Sequence, residues 1–379
     1  MEVSVSRRQL LALGTMIVLV PALRLYPAET AALSGRAAWL AGLLALPLML
    51  GYEFFLSRLM ALRQEGEGLA ELGLRLLGGI PGRVFLLLMA AWTLLYTAFV
   101  LRSSADRLVG TVYLKANPAV FTEVMGLLGI LAALSAPLVL TRMARMVQPF
   151  LLGALLLLLG AALFQADADH LLPLTGQDLL PALRGAAVAA DVLSCPAAAL
   201  CFLAGSVKKR PGAFRALGLW TALLCALLTL LNLAVLGRFG APLTASLSRP
   251  FFVLMRTLVF FGTVERVEAL VVMLWLFPDF LLAALFLRAG TQAAALLLKS
   301  GRRGERLFSA LPQGEKLLTW VCGTAVVVLA LFLAPDSRSL ERWSTVVIPA
   351  LNLLFCFGLL PLLYIAGSRR GKEIPGQTL

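Results

Sequence analysis

Residues 183–206 read LRGAAVAADVLSCPAAALCFLAGS. This apolar run is long enough to cross a bilayer, yet it places Asp191 near its middle and Cys195-Pro196 shortly after. A carboxylate at mid-membrane depth costs roughly 2.5–3.5 kcal/mol on insertion scales, so it needs a partner or a purpose. The proline after Cys195 removes a backbone donor and disfavours helix at the residue before it. Freed carbonyls and a new helix N-terminus survive at that depth only where protein or a water-filled cavity satisfies them. The stretch therefore reads as a polar, interrupted span at which a ligand is to be sought. The alternative is a kinked packing helix whose Asp191 hydrogen-bonds a neighbouring hydroxyl.

Composition places this span in a membrane protein. Of the 379 residues, 60% are hydrophobic and 14% charged, and the mean hydropathy is +0.91. Such values belong to a polytopic, all-α membrane protein. Ten spans of about 20 residues would use more than half the chain, which leaves a single integral membrane domain over 1–379. The net charge of +13 forms no stripe for nucleic acid. The basic residues sit between apolar runs, where they orient the spans by the positive-inside rule. Cys195, Cys201, Cys225, Cys322 and Cys356 all fall in apolar runs without CxxC or metal-ligand spacing, as small buried residues do. His170 is the one histidine, so neither a His-ligated metal nor a Ser-His-Asp triad is available. No cofactor, metal or enzyme chemistry is expected.

The first residues of the chain, SRRQLLALGTMIVLVPAL at 6–23, imitate an export signal, even a twin-arginine one. Many spans follow and no small-residue cleavage site is obvious, so Arg7 and Arg8 are read as holding the N-terminus in the cytoplasm. Spans are expected at about 9–26, 37–59, 84–101, 119–140, 147–165, 183–206, 214–237, 267–287, 317–333 and 343–366. A cytoplasmic surface helix is expected around 69–77, stopped by Gly78-Gly79. Arg102 and Asp106 are spaced as an i,i+4 pair, and Arg142 and Arg145 mark a basic turn between spans 4 and 5. The loop 166–182 holds Asp167, Asp169, His170 and Asp178 with no Lys or Arg, which suits the outer face, and 251–263 is too short to cross. With ten spans both termini are cytoplasmic, as are the clusters at Lys208-Lys209-Arg210, 288–316 and Arg369-Arg370-Lys372.

Spans 1–5 occupy 9–165 and spans 6–10 occupy 183–366. An odd number in each half makes the halves opposite in topology, the condition for an inverted repeat. Span 1 (Gly14, Pro21) and span 6 (Cys195-Pro196) lead the two halves and both carry breaking residues. Paired interrupted spans point to a central site, although prolines in spans 2, 4, 8 and 10 leave ordinary kinks as the alternative. Helix N-termini favour a carboxylate, and Asp191 with exposed carbonyls suits an ammonium group. The expected ligand is a small zwitterion such as an amino acid. Gly14, Thr15, Pro21, Thr93, Tyr96, Asp191, Ser194 and Cys195 are the candidate ligand-binding residues, though hydroxyls in spans often bond their own helix.

The sequence also resembles the spore germination permeases, the B subunits of GerA-type nutrient germinant receptors within the amino acid–polyamine–organocation transporter superfamily. The resemblance is carried by 237–279: GRFG, then a Pro-led apolar segment from Arg249-Pro250, then ERVEALVVMLWLFPDF, with Glu265, Arg266, Glu268 and Trp275 matching the family's acidic–Arg–x–acidic element and central Trp. VSRRQ, GRAAWL, LTRMARMVQPFLL and HLLPLTGQDLLPALRGA match weaker family elements in order along the chain. Asp191 aligns with no family motif. The resemblance implies a LeuT-like fold of ten spans with spans 1 and 6 discontinuous, a place in the spore inner membrane or bacterial plasma membrane, and nutrient sensing together with an A subunit and a lipoprotein C subunit. On this reading Glu265, Arg266 and Glu268 form an ion-pair cluster that gates the pocket, the alternative being charges that snorkel to anchor the span. The competing function is an amino-acid transporter or exchanger working by alternating access. The absence of Lys from 147–165 leans against a lysine-gated proton symporter.

Overall fold

In the computed structural model, which describes residues 5–113, 115–208, 213–257, 267–300 and 313–371, the described residues form helices and no strand. Among the described residues, eight helices are long and apolar enough to cross a membrane. Two further helices are the amphipolar-ended Arg7–Arg24, with arginines at both ends, and Pro118–Leu134, which is 17 residues long. Large side chains such as Phe150, Phe164 and Phe332 point outward at 78%, 94% and 77% exposure. An apolar exterior over a partly polar interior is the arrangement lipid demands. The chain is an integral, multi-pass membrane protein.

The first pass is made of two helices. Helix α1 (Arg7–Arg24) opens on a capping box in which Ser6 Oγ accepts from the Gln9 N–H at 3.3 Å and Gln9 Oε1 accepts from the Ser6 N–H at 2.9 Å, which satisfies two of the free donors at the helix start. It runs unbroken through Gly14 and Pro21 and stops at Leu25 (φ −124°). Helix α2 (Tyr26–Ser34) then begins with Pro27 in its first turn, where the missing N–H cannot extend the preceding helix. The interruption in this pass thus lies at Leu25, beyond the Gly14 and Pro21 positions that the sequence suggested. Gly35, at φ +54°, supplies a backbone turn that L side chains rarely adopt, and a 3₁₀ turn (Gly35–Leu40) leads into α3 (Ala41–Ala61).

Contacts with α8 (Leu179–Leu200) fix the directions. Ser34 Oγ donates to the Pro181 carbonyl at 2.7 Å, and Gly185 packs on Ser34 and Ala41. At the other end of α8, Leu200 packs on Gly14. The chain has therefore reversed between α2 and α3, and α8 runs antiparallel to the first pass. Helix α8 continues as regular helix through Cys195-Pro196 and tightens only afterwards, into a 3₁₀ segment at Cys201–Ser206. The break expected at Pro196 is displaced by one turn. Gly205 explains the new position: a Cβ there would meet the Gly66 carbonyl oxygen at 2.5 Å, so the tightened segment lies directly on the 63–68 loop.

Several expectations are corrected elsewhere. Helix α4 (Leu69–Leu77), ended by Gly78 at φ +62° and Gly79 at φ +41°, stands where the surface helix was expected, but it buries Leu69, Leu72 and Leu76 in the bundle. Helix α5 (Gly79–Thr111) is 33 residues long, far longer than 84–101. Helix α6 (Pro118–Leu134) and α7 (Pro137–Leu163) meet at Ser135-Ala136, because extended backbone is preferred before Pro137. Arg142 and Arg145 consequently lie inside α7 and not in a turn. Helix α9 (Ala213–Ser246) kinks at Gly240 (φ +70°) against His170, and α10 (Pro250–Thr257) covers the start of the short 251–263 segment. Helix α11 (Val267–Lys299) and α12 (Gly314–Leu333) follow, and the last pass, within Ser337–Gly371, alternates α and π turns.

Two packing contacts are decisive for the bundle. Gly42 on α3 lets α9 approach closely: a Cβ would stand 2.6 Å from the Cys225 carbonyl oxygen and 2.6 Å from Thr229 Oγ1. On the same helix Gly51 has open space around it. The second contact is the ion pair of Arg107 on α5 with Asp279 on α11, whose side chains are 4% and 0% exposed.

Both contacts lead to measurable outcomes. Gly42→Ala overpacks against backbone and costs about 1–3 kcal/mol, seen as a lowered thermal unfolding midpoint of the purified protein. Gly51→Ala leaves the midpoint unchanged or raises it, because alanine favours helix by up to about 1 kcal/mol. Asp279→Ala strands a buried guanidinium at about 3–5 kcal/mol and sharply lowers the yield of monodisperse protein in size-exclusion chromatography. The double variant Arg107→Met/Asp279→Leu, which leaves neither charge behind, recovers much of that yield.

Candidate functional site

The polar groups of the apolar bundle converge where α1, α2, α5, α8, α11 and the last pass meet. Arg24, in the last turn of α1, donates through Nη1 to Ser103 Oγ at 3.0 Å. Arg107, one turn further along α5, donates to the same hydroxyl at 3.3 Å and pairs with Asp279. The Arg24 guanidinium lies 4.6 Å above the Phe99 ring and that of Arg107 lies 6.0 Å from the Trp275 ring, aromatic faces that stabilise cations in place of water. Two arginines are thus brought together around one hydroxyl, with a single carboxylate in direct contact.

Glu29 on α2 acts electrostatically both on Arg24 and on Asp191 of α8. Glu29 and Asp191 are partly exposed. Asn352 of the last pass approaches Asp191 and accepts from Trp92 Nε1 at 3.2 Å. Tyr96, 3% exposed, feels Arg24, Asp191 and Asp279 together. Several polar atoms in this centre touch neither solvent nor a protein partner: Nε of Arg24 and of Arg107, and one oxygen each of Glu29, Asp191 and Asp279. Buried polar atoms are rarely left this way, least of all in hydrocarbon. Chemically, the centre offers spare donors on two arginines and spare acceptors on three carboxylates.

The sequence-selected residues fall into two groups. Tyr96, Asp191, Ser194 and Cys195 are brought together, with Cys356 of the last pass beside Cys195 and Ser194 Oγ donating to the Asp191 carbonyl at 3.3 Å. Gly14 and Thr15 lie elsewhere. Thr15 Oγ1 donates to the Leu11 carbonyl and accepts from Trp220 Nε1, both at 2.9 Å, so its hydroxyl is engaged, and Gly14 is packed by Trp220 and Leu200. Pro21 lies within α1, three residues before Arg24. Thr93 donates to the Met89 carbonyl at 2.8 Å and faces Gly290 where α5 and α11 touch. Glu265 and Arg266 lie outside the described residues, and Glu268 falls in the first turn of α11.

Arg24, Ser103, Arg107, Asp279, Glu29 and Asn352 are the members that the sequence reading missed. Asp279 had a signal: an ionisable residue inside an apolar run is a functional hypothesis by default. Arg107 was hidden by ending span 3 at 101. Arg102 and Asp106 do not pair with each other. Arg102 donates to the Ala334 carbonyl at 3.0 Å, and Asp106 pairs with Arg249 at 2.6 Å. Among the described residues, no group of His, Cys, Asp and Glu side chains is placed to hold a metal ion.

Comparison with known proteins gives the fold its context. MhsT, solved in complex with L-phenylalanine, superposes with a TM-score of 0.66 at 13% identity, covering 97% of this chain and 89% of that chain. At that identity the likeness establishes the fold, a LeuT-like arrangement of helices. No curated protein matches the chain. The profile of the spore germination protein family matches residues 4–354. With all but the two ends of the sequence matched, the chain belongs to the spore germination protein family.

Proposed function

We propose that this chain is the permease-like, nutrient-sensing subunit of a spore germination receptor, and that it binds a small zwitterion such as an amino acid at the buried polar centre. The observation that carries the reading is the pairing of unmet donors on Arg24 and Arg107 with unmet acceptors on Glu29 and Asp191. A carboxylate suits the first end and an ammonium group the second. Family membership supports the germination role, and the fold shared with an amino-acid complex supports the ligand class. Binding can favour one arrangement of the helices only by its differential affinity for the two states. The proposed moving parts are the segments beyond Leu25 and Cys201, in two halves, 9–165 and 183–366, related as inverted repeats. An A subunit and a lipoprotein C subunit in the spore inner membrane read the shift, and Glu265, Arg266 and Glu268 gate access. The shared fold also favours a second reading, an amino-acid transporter or exchanger, which differs in producing uptake into vesicles.

Direct titration of the purified chain with a panel of amino acids is expected to identify a ligand whose amidated and N-acetylated derivatives each bind at least about tenfold more weakly, a difference of about 1.4 kcal/mol. Asp191→Asn and Arg24→Gln weaken binding comparably, while Asp169→Asn in the exposed loop changes nothing. Derivatives that bind as well as the parent amino acid would remove the zwitterion reading. In spores, deleting the gene abolishes germination by one nutrient class and leaves responses through other receptors intact. An unaltered response to every nutrient, with vesicle uptake by the purified chain, would decide for transport.

A further inference from the structure

A second feature of the bundle lies away from the polar centre. A cavity of about 460 Å³ opens between α1, α3, α9 and the end of α8. Its walls are mainly apolar, with Leu10, Leu11, Leu56, Leu200 and Leu217 among them. Its rim carries Arg7, Arg63 and Lys208. Arg7 opens α1 and Arg63 follows the end of α3, so the cations stand where these helices leave the apolar zone, on the face that the positive-inside rule assigns to the cytoplasm.

We infer that an anionic phospholipid occupies this cavity, with one acyl chain between the helices and its phosphate against Arg7, Arg63 and Lys208. Charge selects the head. Arg63 is 7% exposed and fixed by donating through Nη2 to the Val207 carbonyl at 2.7 Å, which spends one of the guanidinium's five donors. Basic pockets between transmembrane helices on this face are suited to anionic headgroups. Apolarity selects the tail, since a soluble anion at the rim would leave the leucine walls in water. The one acid of the lining, Glu53, lies at the inner end, about 12 Å from the end of α3 by helical rise. Glu53 Oε1 already accepts from Thr221 Oγ1 at 3.1 Å, and a monocation seeking it would first have to pass the basic rim.

The position gives the lipid a consequence. Cys201 and Ala204 line the cavity and belong to the 3₁₀ segment that ends the α8 pass. An acyl chain seated there packs on the segment and holds it against the 63–68 loop, so occupancy couples the surrounding bilayer to the interruption in α8.

Native mass spectrometry of the full chain, titrated in detergent with phosphatidylglycerol or phosphatidylcholine of equal acyl length, tests this. Phosphatidylglycerol is expected to bind more tightly, and Lys208→Gln to weaken it about fivefold, the effect of one basic residue near a membrane surface. Adding Arg63→Gln brings the loss to roughly 25-fold on the same basis and weakens phosphatidylcholine, whose choline offsets its phosphate, by less. Leu217→Trp, which fills the cavity and keeps all three cations, releases phosphatidylglycerol, whereas millimolar glycerol phosphate does not displace it. The inference is overturned by equal binding of the two lipids, by charge variants that bind as wild type, or by Leu217→Trp retaining the lipid. Displacement by glycerol phosphate would show a head-only anion site, and displacement by hexylammonium would make Glu53 the determinant; either overturns it too.

Discussion

Hydrocarbon supplies no hydrogen bonds, so every polar atom inside this bundle must be answered by another part of the protein. The answer that organises the structure is the Arg107–Asp279 pair with Ser103, which also receives Arg24. It ties α1, α5 and α11 together at one point, next to the place where the first pass is interrupted at Leu25. Removing two charges from water is expensive, and a buried pair seldom adds much net stability. Its effect is on position. A guanidinium with one buried carboxylate in reach has few places to go, and the helices that carry the two are held in register accordingly.

Around that fixed point the centre remains incompletely paired. Arg24 and Arg107 share a hydroxyl and keep free Nε groups, while Glu29 on α2 and Asp191 on α8 keep one idle oxygen apiece. An apolar protein that needed only stability would have packed leucines here. Tolerating unmet donors and acceptors of opposite sign in one place makes sense if a dipolar molecule completes the set, and the same incompleteness makes the local geometry sensitive to whether it is bound.

The interruptions in the first pass and in α8 lie on different levels. Leu200, at the end of regular helix in α8, packs on Gly14, which is eleven residues, about 16 Å by helical rise, from Leu25. At the Gly14 level α1 meets α8 through Leu200 and α9 through Trp220, which also engages the hydroxyl of Thr15. Beyond that level each pass has a separate segment, one next to the polar centre and one next to the lipid-sized cavity. Prolines 21 and 196 do not make these breaks, because a helix can carry a proline when its neighbours meet the freed carbonyl. Pro27 in the first turn of α2 and the close approach of Gly205 to Gly66 are where the backbone has to change course.

Much of this was legible in the sequence. Hydropathy and the spacing of basic residues pointed by themselves to an all-helical membrane protein, since an apolar run of about 20 residues answers its own backbone groups in lipid by forming a helix. Motif order pointed to the family, and an acid in the middle of 183–206 pointed to Asp191 as part of a polar centre. Element ends were legible only where local chemistry decides them, as with Gly78-Gly79. The Ser-Ala-Pro turn before α7 carries such a signal too, whereas the basic pair Arg142 and Arg145 lies inside the helix and marks no turn. Tertiary structure alone decided the partners of the charges: Arg102 and Asp106 are spaced for each other but answer Ala334 and Arg249, and Arg107 answers Asp279, more than 170 positions away in the sequence. In a bilayer a charge pairs with whatever the packing of remote helices brings within reach, and one-dimensional spacing does not contain that packing.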